Sequence, residues 1–161
     1  MARSMMSSRS LIDSVWQRSN PYDPAMSAAG RIEIAKKLFA GWSSGDPDAP
    51  EPCMTPDAVL FDVASGRFEG WPAIRNFFAG GLTRTGNLML IPDEFWENDS
   101  GLAVHYVMSG DVVLPSSFGA EHIGRRWSVD VMSYLRFDGD RVCFEADFHD
   151  KGARAKSLVL T

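Results

Sequence analysis

Apolar residues recur at helical spacing in the segment that follows Ser27. Four of them lie three or four residues apart, which is the spacing of one buried face of an α-helix: Ala35, Leu38, Phe39 and Trp42. Three basic residues fall on the other face: Arg31, Lys36 and Lys37. Because Gly45 then ends the pattern, the segment predicts an amphipathic helix over about residues 27–42.

Beyond this helix, short apolar runs alternate with turn signals. The run MTPDAVLFDV predicts a short helix and then a strand over residues 59–63, with a turn at residues 65–66. The segment GWPAIRNFFAGG predicts a short amphipathic helix with Pro72 in its first turn and a stop at two glycines. After Gly86 the sequence predicts strands only, joined by tight turns at residues 99–101 and 138–140.

Helices followed by a run of antiparallel strands are typical of an α+β domain, and the sequence has no βαβ unit and no internal repeat. The length of 161 residues suits one such domain. Residues 1–26 are rich in serine and interrupted by Pro21 and Pro24, so they predict an arm with a short helical turn near residues 11–16. We therefore expect an N-terminal arm over residues 1–26 and one domain over residues 27–161.

Charge and cysteine content restrict the partners that the chain can have. It has 16 Lys and Arg against 21 Asp and Glu, a formal net charge of −5, which argues against binding to nucleic acid or to an anionic membrane. No apolar run approaches the ~18 residues of a membrane span, and the N-terminus lacks a signal-peptide core. Cys53 and Cys143 have no metal-ligand spacing, so we expect no metal site and no disulfide framework, and a cytoplasmic protein.

Four segments, taken in order, resemble the SnoaL-like and ketosteroid isomerase-like group of the nuclear transport factor 2-like superfamily. They are KKLFAGWSSGD, AVLFDVASGRFEGWPAIRNFFAG, GRRWSVDVMSYLRFDGDRV and EADFHD, and the match covers about residues 31–150. The resemblance implies a cystatin-like α+β fold, in which a strongly bent antiparallel sheet forms a cone-shaped half-barrel around a long N-terminal helix. It also implies a small hydrophobic molecule in the cone, no cofactor, and a homodimer.

Two carboxylates match catalytic positions of different members of this group. Asp62, just before the GWPAIRNFF helix, resembles the base of ketosteroid isomerases, whose Tyr and protonated acid correspond here to Leu38 and Ser133. Asp147, in EADFHD, resembles an acid of limonene epoxide hydrolases, whose Arg-x-Asp pair is missing from AVHYVMSGD. SnoaL-type polyketide cyclases need only an acid or base that moves a proton, and either aspartate fits that role.

Strand alternation extends the candidate site along the last strand. It places Cys143, Glu145, Asp147 and His149 on one face, which the resemblance turns towards the pocket, although a solvated face gives the same pattern. His105 is a third catalytic candidate, as a proton shuttle, but most histidines in apolar strands are packed core or interface residues. We expect six further residues to bind substrate: Leu38, Trp42, Trp71, Phe78, Trp127 and Ser133.

Burial in an aromatic pocket disfavours the charged form of an aspartate, so its pKa rises and it becomes a better base near neutral pH. An arginine that reached the acid would reverse the shift, and the nearest ones in sequence are Arg67, Arg75 and Arg125. Two hypotheses stay open. One is a cofactor-free cyclase, isomerase, dehydratase or hydrolase that acts on a hydrophobic oxygenated molecule; the other is a non-catalytic ligand-binding or dimerisation module.

Overall fold

The computed structural model describes residues 27–115 and 118–158; the predicted N-terminal arm and its helical turn lie outside them. The first helix, α1 (Ala28–Trp42), begins after Ser27, whose side chain accepts a hydrogen bond from the Gly30 amide at 3.3 Å. This cap satisfies one of the amides that a helix N-terminus leaves unpaired. The predicted apolar face is confirmed, because Ala35, Leu38, Phe39 and Trp42 are all buried.

A six-stranded sheet supplies the rest of the framework, together with two shorter helices. The elements after α1 are a 3₁₀ turn (Glu51–Cys53), β1 (Met54–Asp62), β2 (Gly66–Glu69), α2 (Trp71–Leu82), β3 (Thr85–Asn98), β4 (Gly101–Val112), a second 3₁₀ turn (Ala120–His122), β5 (Arg126–Asp138), β6 (Arg141–His149) and α3 (Lys151–Ser157). The strand order is β2-β1-β6-β5-β4-β3, and the sheet is curled but not closed. The predicted α+β architecture is therefore confirmed.

One feature of the sheet differs from the expectation of an antiparallel cone. Strands β1 and β6 pair in parallel, whereas all the other neighbours are antiparallel, so the sheet is mixed. A parallel pair needs a long crossover rather than a hairpin. Here the crossover contains β2, α2 and the three strands β3, β4 and β5.

Two local predictions were wrong, and one helix was missed. Residues 54–57 form strand rather than helix, because Met54 pairs with Val142 of β6 and this long-range contact outweighs local propensity. Helix α2 runs through its two glycines and ends at Leu82. Helix α3, at the C-terminal end, was not predicted.

The concave side of the sheet packs against α1 and α2. Helix α1 contacts β3, and the rings of Phe39 and Tyr106 lie 4.7 Å apart between their centroids. Arg31, expected on the solvated face of α1, is instead buried: it pairs with Glu97 at 3.2 Å and lies over the Phe137 ring at 5.8 Å. Because β3 extends beside the start of α1, this end of the helix is covered on a second side.

We expect Gly101→Ala to destabilise the fold. A Cβ at Gly101 would overlap the carbonyl oxygen of Leu135 on the neighbouring strand and press on the Tyr134 ring. Overpacking of this kind costs about 1–3 kcal/mol, which a urea unfolding curve resolves. Gly81→Ala in α2 is the matched control: a Cβ there meets no atom within 4 Å, and alanine in a helix gains roughly 0.5–1 kcal/mol over glycine. An unchanged unfolding midpoint for Gly101→Ala would contradict the described packing.

Candidate active site

A cavity of about 260 Å³ lies between the concave face of the sheet and the three helices. Part of its wall is aromatic or aliphatic, and the large apolar side chains there include Trp42, Leu60, Phe77, Phe78, Leu90 and Trp127. Trp42 and Phe78 meet edge to face, with ring centroids 4.6 Å apart. The apolar part of the wall limits the contact of nearby polar groups with water, so the polar residues that share the cavity need an explanation.

Four ionisable residues enter this apolar space from two adjacent strands. Asp62 of β1 and Asp147 of β6 are direct partners in the parallel pair, so their side chains lie next to each other on the inner face. Glu145 and His149, two residues before and after Asp147, also line the cavity. Three of the four residues on the predicted face of β6 therefore face the cavity; Cys143 does not line it and lies beside a register shift in the pairing with β5.

Asp147 lies at the centre of a hydrogen-bonded group. The Ser133 hydroxyl, opposite it on β5, donates to Asp147 Oδ1, and Ser133 Oγ is 3.3 Å from the Tyr106 hydroxyl oxygen. Burial raises the pKa of Asp147 to about 7; hydrogen bonds from Ser133 and Tyr106 oppose the rise, and the charge of Asp62 adds to it. Near neutral pH the side chain is therefore present in both its acid and its base form.

Glu145 lies deeper than Asp147 and is 1% exposed. Burial, and next the charge of Asp147, raise the pKa of Glu145 well above its ordinary value, while a hydrogen bond from Trp42 opposes the rise. Its Oε2 atom has no hydrogen-bond partner. The raised pKa favours the protonated form of the Glu145 side chain.

Asp62 both stabilises a turn and lines the cavity. Its Oδ1 accepts a hydrogen bond from the Ala64 amide at 2.9 Å, which is the capping role that short acidic side chains often have in loops. Its Oδ2 lies 3.8 Å from His149 Nδ1. Burial lowers the pKa of His149, although the charge of Asp62 opposes this, so the imidazole is largely neutral at neutral pH.

The structure brings together most of the residues that the sequence singled out. Seven of them line the cavity: Trp42, Asp62, Phe78, Trp127, Glu145, Asp147 and His149. Three others support the wall without lining it: Leu38, Trp71 and Ser133. Leu38 is fully buried in the core, Trp71 lies behind Trp42 with 6.4 Å between ring centroids, and Ser133 holds Asp147 from behind.

His105 does not enter the cavity. It lies on the outer face of β4, where its Nδ1 meets Asp93 at 2.6 Å and its Nε2 lies 3.6 Å from Asp130. These carboxylates, Asp93 first, raise the pKa of His105 above its ordinary value. Since side chains alternate along a strand, the inward position belongs to its neighbour Tyr106.

Two groups of cavity residues were not expected from the sequence. Tyr106 had a signal, since Leu102, Val104 and Tyr106 alternate as one buried face of β4. The other group is cationic and consists of Arg84, Lys151 and Arg154. Two of these three belong to the unpredicted helix α3 and gave no sequence signal.

The three arginines that lie nearest the acids in sequence do not pair with them. Arg67 pairs with Glu69 at 2.7 Å, Arg75 forms a two-pronged pair with Asp48, and Arg125 donates to the Leu158 carbonyl at 3.0 Å. None of these three arginines therefore reverses the raised pKa of Asp147. In the part of the chain that the structure describes, no group of three or more His, Cys, Asp or Glu side chains is arranged to hold a metal ion. None of the helices in the described residues has the length and apolar content needed to span a bilayer.

Solved structures with a similar fold come from several bacteria. A Catenulispora acidiphila protein with a ketosteroid isomerase-like fold, solved in complex with trimethylamine, has a TM-score of 0.69 at 17% identity, over 80% of this chain and 94% of that one. A candidate SnoaL-like polyketide cyclase from Jannaschia sp. CCS1 has a TM-score of 0.69 at 15% identity, over 84% and 97%. An epoxide hydrolase of M. tuberculosis, similar to limonene epoxide hydrolase, has a TM-score of 0.66 at 14% identity, over 82% and 91%.

Likeness at these identities shows the fold alone, and no sequence among curated proteins matches the chain. The sequence does match a family model, the SnoaL-like domain, over residues 35–149. That span runs from the middle of α1 to the last residue of β6, so it includes Asp62, Glu145, Asp147 and His149. The chain belongs to the SnoaL-like domain family.

Proposed function

We propose that this protein is a cofactor-free enzyme that moves a proton on a small hydrophobic, oxygenated molecule, with Asp147 as the general base. The observation that carries the proposal is the pairing of Asp62 and Asp147 on adjacent strands inside an apolar cavity. Burial and the neighbouring charge of Asp62 raise the pKa of Asp147 to about 7, which suits a general base near neutral pH. The turn that Asp62 caps explains one carboxylate, but it does not explain the second carboxylate, Asp147, beside it.

The proposed reaction starts at a C–H bond next to a carbonyl group. The Asp147 carboxylate takes the proton, the electron pair of the C–H bond moves into the carbonyl group, and an enolate forms. Glu145, as a protonated acid, or the Tyr106 hydroxyl donates a hydrogen bond to the enolate oxygen. If a C=C bond is conjugated with the enolate, return of the proton from Asp147 to its far carbon gives an isomer. Attack of the enolate on a second carbonyl group forms a ring, and the resulting alkoxide takes the proton back from Asp147.

The cavity wall and two related structures support the substrate class. Aromatic rings on the wall favour a flat apolar skeleton, and the buried acids favour oxygen atoms at one end of it. The Catenulispora protein holds a small molecule, and the Jannaschia protein is a candidate polyketide cyclase. Both facts support a small-molecule substrate here and are compatible with cyclisation.

An assay with a model ketone tests the proposal without knowledge of the natural substrate. β-Tetralone carries an acidic C–H between a ring and a carbonyl group, so a base in the cavity exchanges that proton for deuterium in D₂O, which proton NMR follows. We expect the protein to accelerate exchange above the buffer rate. Exchange at the buffer rate, for tetralone that is shown to bind, would reject the catalytic proposal.

The second candidate is a non-catalytic binding module with the same cavity. It is favoured by the existing contacts of both aspartates, since Asp62 already accepts from Ala64 and Asp147 from Ser133. It is also favoured by β4, which has no Arg-x-Asp pair. Saturable tetralone binding without proton exchange is the result that selects this alternative.

We also propose a cytoplasmic homodimer that forms through the outer face of the sheet. Four large apolar side chains on this face are exposed by 38–54%: Val63, Ile91, Met132 and Phe148. A patch of this kind on a monomer marks an interaction site, and a two-fold axis lets one face meet its own copy. Both cysteines in the described residues are free, which suits a reducing compartment.

We expect light scattering to give the mass of a dimer, and Ile91→Asp to convert it to a monomer, because a charge on this face would be buried without a partner. Ile123→Asp is the matched control, as Ile123 is equally exposed but lies in the loop before β5. A monomer mass for the wild-type protein at tens of micromolar would reject the dimer.

A further inference from the structure

Helix α3 places an arginine inside the cavity in an unusual environment. The Arg154 guanidinium lies over two aromatic rings, 4.1 Å from the centroid of Trp127 and 4.7 Å from that of Phe118, and the side chain lines the cavity. Stacking on aromatic faces holds a guanidinium in one orientation and leaves its edge free to donate hydrogen bonds. The residue is therefore fixed before any ligand arrives.

The charge of Arg154 is not matched by a carboxylate in the described part of the chain. Its Nε is buried and has no hydrogen-bond partner, and no ion pair involves its guanidinium. Four other arginines do meet an acid: Arg31, Arg67, Arg75 and Arg126. A half-buried cation without a partner is costly, and burial accordingly lowers the pKa of Arg154. An anion from outside the protein would remove that cost.

Two more cations occupy the same region of the cavity wall. Arg84 and Lys151 line the cavity as exposed residues, and Lys151 Nζ donates to the Ala64 carbonyl at 2.7 Å. With Arg154 they form a cationic rim, whereas Glu145 and Asp147 lie deeper on the sheet. The charge of Asp62 opposes the lowering of the Arg154 pKa, although the two side chains form no ion pair. The cavity therefore has a basic entrance and an acidic floor.

We propose that Arg154 binds a carboxylate on the ligand, so that the molecule accepted by this cavity is a flat hydrophobic acid. The planar guanidinium matches a carboxylate with two parallel hydrogen bonds, which a single ammonium group cannot do. This assignment rests on the proposed function, since it names the substrate class of the same cavity. The ionised form of Asp147 on the cavity floor repels the carboxylate, so the acid group stays at the rim and the apolar skeleton enters between the rings.

Paired probes test this assignment without knowledge of the natural ligand. Naphthoate and naphthamide have the same skeleton and differ in the negative charge, and titration calorimetry gives both dissociation constants. We expect the wild-type protein to bind naphthoate at least about tenfold more tightly, the scale of one charged hydrogen-bonded contact of ~1.4 kcal/mol or more. Arg154→Gln should abolish the preference, and Arg154→Lys should reduce it.

The control is Arg141→Gln, the same change at an exposed arginine of β6 outside the cavity lining, and it should keep the preference. Equal binding of the two probes, no binding of naphthoate, or an unchanged preference in Arg154→Gln would each overturn the assignment. Arg154→Lys keeps the charge, so it answers the question even if the glutamine variant folds poorly. Failure of the proton-transfer proposal looks different: the protein would then prefer naphthoate to naphthamide and bind tetralone, but it would not accelerate tetralone exchange.

Discussion

We expect Asp147→Asn to slow tetralone exchange by about 10²–10⁴-fold, the usual contribution of a general base. Asparagine keeps the shape and the hydrogen bond from Ser133 but cannot take a proton. In the wild-type protein the base form grows as pH rises through the pKa of Asp147, about 7, so the catalysed rate should increase across that range and then level off. The asparagine variant should lose this step.

Two further variants define the origin of the effect. Asp57→Asn is the matched control, because Asp57 lies on the same strand as Asp62 but is exposed, and it should leave the rate unchanged. Asp62→Asn removes a charge that raises the pKa of Asp147, so the step in the pH profile should move to lower pH. If Asp62→Asn and Asp147→Asn both keep the rate within about tenfold, the carboxylate mechanism is wrong.

We expect Glu145→Gln to stabilise the folded protein at about pH 8 and to change its stability little at about pH 4. The pKa of Glu145 is higher in the folded than in the unfolded chain, so the folded state holds the proton longer as pH rises. Stability then falls with rising pH from the unfolded pKa upward. Glutamine does not titrate, so the difference between the variant and the wild type should grow through this range.

Urea unfolding at the two pH values measures the difference. Glu94→Gln, the same change at an exposed position, is the control and should stay within about 0.5 kcal/mol at both. A difference for Glu145→Gln that is equal at the two pH values would contradict the buried, protonated state. Replacement of an acid is expected to stabilise a protein when that acid serves function and reduces the stability of the folded state.

The sequence predicted the elements whose pattern is local. Helix α1 was correct because its buried face has regular spacing, and the last two strands were correct because a Gly-containing turn separates two alternating runs. Residues 54–57 were assigned to a helix because their pairing with β6 depends on residues far along the chain. The parallel direction of the β1–β6 pair was missed for the same reason, because no local sequence signal indicates which strand will pair with β1.

The residues of the candidate site were likewise identified where the sequence pattern is local and missed where their position depends on tertiary packing. Asp62 and the alternating residues of β6 were identified from strand patterns and from the family resemblance, whereas His105 was preferred to Tyr106 although one position along a strand reverses the face. Arg154 could not be identified, because its place in the cavity depends on how the C-terminal helix packs against β5. Tertiary packing, rather than residue type, decides which cation reaches a cavity.

The parallel pairing of β1 with β6 has a kinetic consequence. Strands β3 to β6 can form from neighbouring segments, but β1 joins only when the chain closes its longest loop, which is the slow kind of contact in folding. Asp62 and Asp147 become neighbours only when β1 pairs with β6, so a chain in which β3 to β6 alone had paired would have neither the adjacent acids nor a covered cavity. The time at which proton-transfer activity appears during refolding would therefore report when β1 pairs with β6.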